Sequence, residues 1–391
     1  MFNFRCKTAD VRGFSRETTS RTAPTKLRNS VRIVDSRLGF TLIELLISIA
    51  IIATLSALFL GASRSAMEFA RASRTKTTIL KIHTLIMEQY ASYETRRVDL
   101  YEPLVQTISS TFTDPQARGN AMADLRVLAT RELMKFEMPD RWSDVDITAN
   151  FGVKDANSRD RAAVFLESVP TITRSYYRRY DKAVAATTAA KVLENQRAEC
   201  LYLTVMLMTG DGEARTMFSA QDIGDVDEDG LPEFLDGWGN PIQFLRWAPG
   251  FVVKSSLMSG DSDADHDPFD PFRRSSPNVI SPPDTSFPPV MQKYIKSLRG
   301  QNSPMTPPVP LVPSVPWVGF RLVPLIFSGG PDGSSDYIVP KDLIVSDPSD
   351  GALNPYLVDK LDNSNFASGG PALEDGDESV DNITNHLQEG R

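Results

Sequence analysis

The sequence predicts an α+β protein, with helices first and short strands after them. Three observations carry this. An apolar run, Phe40–Leu60, leads into a second stretch, Ala62–Leu100, and neither contains Pro or Gly. Two more stretches before residue 211 have helical composition. Beyond residue 221 the pattern changes to short alternating runs bounded by Gly, Pro, Asp and Asn.

The first 39 residues are a basic preamble. They hold nine of the 42 Lys/Arg and three of the 50 Asp/Glu, leaving 33 basic against 47 acidic residues, net −14, in the remainder. An acidic body lacks the basic face that phosphate binding needs, so nucleic acid is not an expected partner. Cys6 and Cys200 are the only cysteines. Removal of residues 1–39 leaves Cys200 alone, which excludes an internal disulfide framework. In its setting, "RAECLYLTVML", Cys200 reads as a small apolar core residue.

The 21 residues from Phe40 to Leu60 make about 30 Å of helix, the thickness of a bilayer core. The run is apolar on every face, unlike a buried soluble helix. It is also longer than the roughly 7–15 residues of a cleaved signal's apolar region. Arg28, Arg32 and Arg37 precede it. The positive-inside rule therefore predicts one pass of the cytoplasmic membrane, with the N-terminus cytoplasmic and the body extracytoplasmic. Glu44 lies inside the run. A carboxylate at a bilayer centre costs roughly 2.5–3.5 kcal/mol, and less near an end, so its presence implies a use.

The helical pattern continues past the apolar run. Ile79, Ile82, Ile86, Tyr90 and Tyr93 recur at steps of three and four, a core stripe on a helix expected over 40–95. "NAMADLRVLATRELMKFEMPDRW" predicts a helix ending at Pro139, and "DKAVAATTAAKVLENQRAECLYLTVMLMTG" predicts helix to near Gly210. "RSYYRRY", Arg174–Tyr180, reads as an amphipathic helix with an arginine-rich exposed side. Pro277–Pro316 is proline-rich, extended connecting chain around a short helix at Met291–Leu298. The acidic tail beyond Ser346 has few large apolar residues and is expected to be largely disordered, above all after Asp362.

Acidic loops mark the strand-rich part. In "DVDEDGLPEFLD", Asp225, Asp227 and Asp229 stand at positions one, three and five, Gly230 at six, Glu233 at nine and Asp236 at twelve. This is oxygen-ligand spacing for Ca²⁺, with a glycine for the sharp turn and a closing acid. Pro232 replaces the aliphatic residue that pairs two such loops, and Gly237 and Gly239 oppose an exit helix. The expectation is an isolated calcium loop; a solvated acidic turn is the alternative. "DSDADHDPFD" places Asp261, Asp263 and Asp265 at similar steps, but His266 takes the glycine position, a weaker site. Ile242–Trp247 and Phe251–Lys254 read as a hairpin about Pro249–Gly250, and Val323, Leu325 and Phe327 as one face of a strand.

"GFTLIELL" resembles the N-terminal signature of type IV pilins and type II secretion pseudopilins. The resemblance implies cleavage by a prepilin peptidase after Gly39, methylation of Phe40, and pairing of Glu44 with the terminal amine of a neighbouring subunit. Two charges in an apolar medium can neutralise each other across a subunit boundary, which makes the carboxylate a register device. The leader is longer than most. "DGWGNP", Asp236–Pro241, is similar to the pseudopilin stretch that opens the C-terminal sheet, and "SGGPDG" resembles a calcium-binding end loop. The second match implies Asp332, and less surely Asp336, as ligands, with a plain Pro-Asp-Gly turn as the alternative.

The family implies a long helix packed on a small C-terminal antiparallel sheet. The expected division is 1–39 leader, 40–62 transmembrane half of the helix, 63–100 amphipathic half, 101–220 helical insertion, 221–345 β-rich head and 346–391 tail. The expected partners are the membrane, the peptidase and other pilin-like subunits; the expected cofactor is calcium. His83, His266 and His386 show no zinc spacing, and no nucleophile elbow, P-loop or dinucleotide fingerprint occurs. A structural subunit is expected, not an enzyme. The D-x-W-G-N-P stretch and acidic loops favour a secretion pseudopilus over a pilus. The alternative is a membrane-tethered recognition module or minor pilin that binds through residues 101–220.

Overall fold

The computed structural model describes residues 40–148, 159–208, 212–248, 266–274, 286–298, 321–334, 337, 353, 358–361, 364–367 and 382–386. Expectations for the leader with Gly39, Phe251–Lys254, Asp261, Asp263, Asp265, Asp336 and most of 277–316 lie outside the described residues. The chain divides into two compact units, Met1–Gly61 and Ala62–Arg391.

In the first unit the described residues open helix α1, which runs Leu42–Ser92. Thr41 caps it. The Thr41 hydroxyl accepts from the Glu44 N–H (3.3 Å), and the Thr41 N–H donates to Glu44 Oε2 (2.8 Å). This is a reciprocal capping box, which satisfies helix-end donors where water is scarce. Large apolar side chains here are exposed on all sides, Leu42 at 82%, Leu46 at 55% and Phe59 at 72%.

The second unit has one main core. The rest of α1 contributes the expected stripe, and Ile79, Ile82, Ile86, Tyr90 and Tyr93 are all buried. α2 (Glu102–Thr111) and α3 (Pro115–Glu137) follow. Asp114 caps α3 by accepting from Ala117 N–H (2.7 Å), with Pro115 at the first helical position. α3 buries five charged residues, each partnered. Asp124 meets Arg274 (2.6 Å), Arg131 meets Asp267 (3.0 Å), Lys135 faces Asp144 (4.0 Å) and Glu137 meets Arg96 (2.6 Å). Glu132 accepts the backbone N–H groups of Val164, Phe165 and Leu166 (2.7–2.9 Å). Residues 101–220 share their core with the sheet: Leu128, Leu201, Phe234, Phe244 and Ile326 belong to one cluster with Ile82.

The helical stretch over 181–210 is broken into pieces: α4 (Thr171–Ala186), α5 (Ala189–Val192) and α6 (Gln196–Met208). Thr188 explains the first break, since its side chain caps α5 by accepting from Lys191 N–H. On α4, Tyr176 is buried while Arg174, Arg178 and Arg179 face solvent, as the amphipathic reading expects. A five-residue helix, α7, spans Glu213–Met217, and α8 spans Pro289–Leu298.

β1 (Ile223–Gly224) and β2 (Glu233–Phe234) form an antiparallel ribbon. β3 (Gln243–Leu245), β4 (Leu325–Ser328) and β7 (Ile383–Thr384) form an antiparallel sheet in the order β3–β4–β7, with Phe244 opposite Ile326 and Phe327 opposite Thr384. β5 (Val358–Leu361) and β6 (Ser364–Ala367) pair as a hairpin. All three of β5, β6 and β7 fall in the tail that composition marks as largely disordered. Ile383 is the apolar foothold for β7, and Asn385 extends the pairing with its side chain. Asn385 Oδ1 accepts Ile326 N–H, and its Nδ2 donates to Pro324 C=O (both 2.9 Å). A further ion network ties the segment after α3 to the residue that follows β3. Arg246 donates to Asp144 (2.8 Å) and Met138 C=O (2.7 Å) and lies 3.7 Å from Asp140, which also meets Arg141 (3.2 Å).

Candidate functional site

Glu44 sits in the first turn of α1, where a negative charge complements the helix dipole. Thr41 N–H and Thr41 Oγ–H both donate to Glu44 Oε2 (2.8 Å each). Oε1 stands outside that pair of bonds. The surrounding surface is apolar and uncovered: the window of α1 that is apolar and long enough to cross a membrane has none of its residues buried. This helix fits a single-pass membrane anchor. Phe40, 83% exposed, lies just before it.

The second site is a carboxylate cluster on the β1–β2 connection. The spacing read from sequence brings Asp225, Asp227 and Asp229 together, with ligand-capable atoms within 4.8 Å of one another. The loop turns as such loops do: Gly230 has φ +92° and Glu228 φ +57°. Asp225 accepts from the N–H groups of Asp229 and Gly230 (3.0 Å each). A second triple, equally close, joins Asp227 and Glu233 to Glu199 on α6. Sequence reasoning missed Glu199, which lies 26 residues before the loop. Its signal was a lone acid inside the apolar run "AECLYLTVML".

Four of these carboxylates share one arrangement. Each has one oxygen tied to the protein. Glu199 Oε2 accepts Trp142 Nε1–H (2.7 Å), and Asp227 Oδ2 accepts Asn195 Nδ2–H (3.2 Å). Asp229 Oδ1 accepts Leu231 N–H (2.7 Å), and Glu233 Oε2 accepts Val226 N–H (3.1 Å). The other oxygen of each, Glu199 Oε1, Asp227 Oδ1, Asp229 Oδ2 and Glu233 Oε1, is shut from solvent without a hydrogen-bond partner. Glu199 and Glu233 are fully buried and Asp229 nearly so. Burial, and then the negative charges of Asp229, Asp227 and Glu233, push the Glu199 carboxyl up to about 9 against the Trp142 bond. Burial, then Asp227, Asp225 and Asp229, push Glu233 up to about 8 against the Val226 bond. Burial also raises Asp227 and Asp229.

Asp236 and Asp332 take other work. Asp236 Oδ1 accepts the N–H groups of Trp238 (2.8 Å) and Asn240 (2.9 Å), and its Oδ2 accepts the Ser328 hydroxyl (2.7 Å). It ties the D-G-W-G-N-P turn to β4. Gly237 donates to Thr75 Oγ1 (2.8 Å), and a Cβ there would collide with the Arg71 backbone, so the turn needs glycine against α1. Trp238 Nε1–H donates to Glu68 (2.7 Å). Asp332 is exposed and accepts Ser334 N–H (2.9 Å), the bond of a plain turn. Asn240 Nδ2–H reaches Gly330 C=O (2.9 Å), so the D-G-W-G-N-P and S-G-G-P-D-G turns meet.

A long helix with an exposed apolar start and a small antiparallel sheet place the protein in an anchored α+β class. Residues 35–60 match the family described as the prokaryotic N-terminal methylation motif. That motif is the signature of type IV pilins and pseudopilins, to which the chain is similar over this segment. No curated protein and no solved structure matches the chain.

Proposed function

We propose that the chain is a structural subunit of a pilin-like filament, of the pseudopilus kind used in type II secretion, and that it acts by assembly and not by catalysis. In this reading a prepilin peptidase cuts between Gly39 and Phe40 and methylates the new terminus. The basic leader stays cytoplasmic, and Ala62–Arg391 stands on the periplasmic side. Subunits associate through the apolar surface of residues 40–61, and filament growth moves the substrate outward. The observation that carries the reading is Glu44. It lies in the first part of α1, where the apolar side chains are all exposed, and the chain itself engages one of its two carboxylate oxygens. A neighbour's terminal amine supplies the missing countercharge, since an ion stranded in hydrocarbon is costly and a pair is less so.

The test is Glu44→Ala in the native host, scored by cross-linking between subunits and by membrane fractionation. Filament incorporation should be lost with membrane insertion intact. Normal assembly and function in that mutant would leave a tethered recognition module, with residues 101–220 as the binding part, as the better reading. Mass spectrometry of the natural protein should find a methylated chain beginning at Phe40.

A further inference from the structure

We infer that Glu199, Asp227, Asp229 and Glu233, with Asp225 at the rim, bind a hard divalent cation of the calcium class, and that this ion latches helix α6 to the β1–β2 loop. The spacing within the loop accounts for three aspartates and one glutamate. It says nothing of Glu199, which arrives from a different element and closes the cluster from the far side. The inference does not rest on the filament reading.

Four observations point to a cation. First, four carboxylate oxygens lie buried without partners, whereas buried polar atoms are ordinarily satisfied. Second, the tied oxygens hold each carboxylate in place through Trp142, Asn195, Leu231 and Val226, as partners outside a metal's own ligands do. Third, the two triples share Asp227, and within each the ligand-capable atoms lie within 4.8 Å of one another, the spread of oxygens around an ion with bonds of roughly 2.3–2.6 Å. Fourth, Lys191 Nζ is spent on Glu228 C=O (3.0 Å) and forms no ion pair with the cluster.

The donor set selects the ion. It is all oxygen and largely anionic, which suits Ca²⁺ and disfavours Zn²⁺, whose sites use nitrogen and sulfur. Mg²⁺ keeps several waters, and Glu199 and Glu233 offer none of the accessible space those waters need. The competing occupant is the proton, because burial and mutual repulsion already favour the neutral acids.

The experiment uses the full chain in detergent micelles, stripped with chelator, with Tb³⁺ as the probe. The Trp142 indole bonds Glu199 directly, so it lies close enough to sensitise bound Tb³⁺. The expected result is saturable luminescence excited through tryptophan, lost in Trp142→Phe, and displaced by Ca²⁺ at concentrations where Mg²⁺ has no effect. Ca²⁺ should also raise the melting temperature. Loss of an outer partner alone weakens metal sites about tenfold or more, so Glu199→Gln should weaken Tb³⁺ at least that much. Without added cation, Glu199→Gln should melt at or above the unsubstituted chain, an inversion that mere damage to the fold would not produce. Glu233→Gln and Asp227→Asn are read in the same way should Glu199→Gln fail to fold. No luminescence with no Ca²⁺ shift overturns the site and leaves protonated acids. Undiminished binding in Glu199→Gln overturns the latch.

Discussion

Residue 44 sets a carboxylate on an exposed apolar surface and the 225–233 loop sets several in the interior, and both use the same local device. One oxygen is committed to nearby donors: Thr41 for Glu44, and the Leu231 and Val226 backbone for Asp229 and Glu233. The difference lies in the room around the second oxygen. At Glu44 it opens outward from an exposed helix, so a whole neighbouring chain can reach it. In the loop it is enclosed and shut from solvent. Asp124 makes a third case. It is fully buried and answered within the chain by two guanidinium nitrogens of Arg274, Nε and Nη2 (2.6 and 3.1 Å). On the proposals above, the geometry of access decides whether a subunit, an ion or a side chain supplies the countercharge.

The sharpest way to break this comparison is Glu44→Gln. Glutamine still accepts the Thr41 N–H, so the helix start survives while the charge goes. Assembly measured by cross-linking should fall to background with membrane insertion unchanged; normal assembly would mean that capping, not charge, is the role of residue 44. Next in size is Arg274→Ala. It removes the guanidinium that pairs with Asp124, and removing one partner of a buried pair costs about 3–5 kcal/mol. Urea denaturation should show that loss, and Ca²⁺ should not restore it. Recovery with Ca²⁺ would merge two cases that are kept apart here.

A smaller effect is expected from acid. Burial alone would raise Asp140, but Arg246, Arg141 and Arg197 outweigh it and hold the carboxyl well below the usual range. Its folded value is depressed, so its contribution is full above the ordinary carboxylate value of about 3.9. That contribution is lost as pH falls from there through the folded value. Denaturation across this window should show a flatter profile for Asp140→Asn than for the unsubstituted chain, and an unchanged slope would remove the assignment. The least effect belongs to Thr41→Ala. Loss of a cap costs about 1 kcal/mol, read as faster amide exchange in the first turn of α1, with assembly retained. Loss of assembly there would blur the line between cap and charge.

The long helix was legible because its signals are local. Ile79, Ile82, Ile86, Tyr90 and Tyr93 repeat at helical steps, and no breaker intervenes. The loop aspartates were legible for the same reason, since a turn fixes their spacing. Glu199 was not, because periodicity describes one element and cannot say what meets it. The buried charges of α3 were hidden likewise: Asp124 finds Arg274 150 residues on, and Arg131 finds Asp267 136 residues on. Asp236 shows the converse. It fits position twelve of a ligand pattern, yet the turn that follows it uses its Oδ1 and the Ser328 hydroxyl on β4 its Oδ2.

β4 is flanked by a strand from residue 243 on one side and by one from residue 383 on the other. Asn385, beyond that last strand, also contacts His83 on α1 (2.9 Å). The sheet therefore pairs β3 with β4 first and is completed only when β7 is delivered. A nascent chain with β3 and β4 already released still waits for residues 383–385 before either the sheet or its tie to the first helix is complete. Non-local closure of this kind is slow and leaves strand edges open in the interim. Folding of the second unit is thereby timed to the arrival of the last strand, and a chain stalled short of it carries an unfinished sheet.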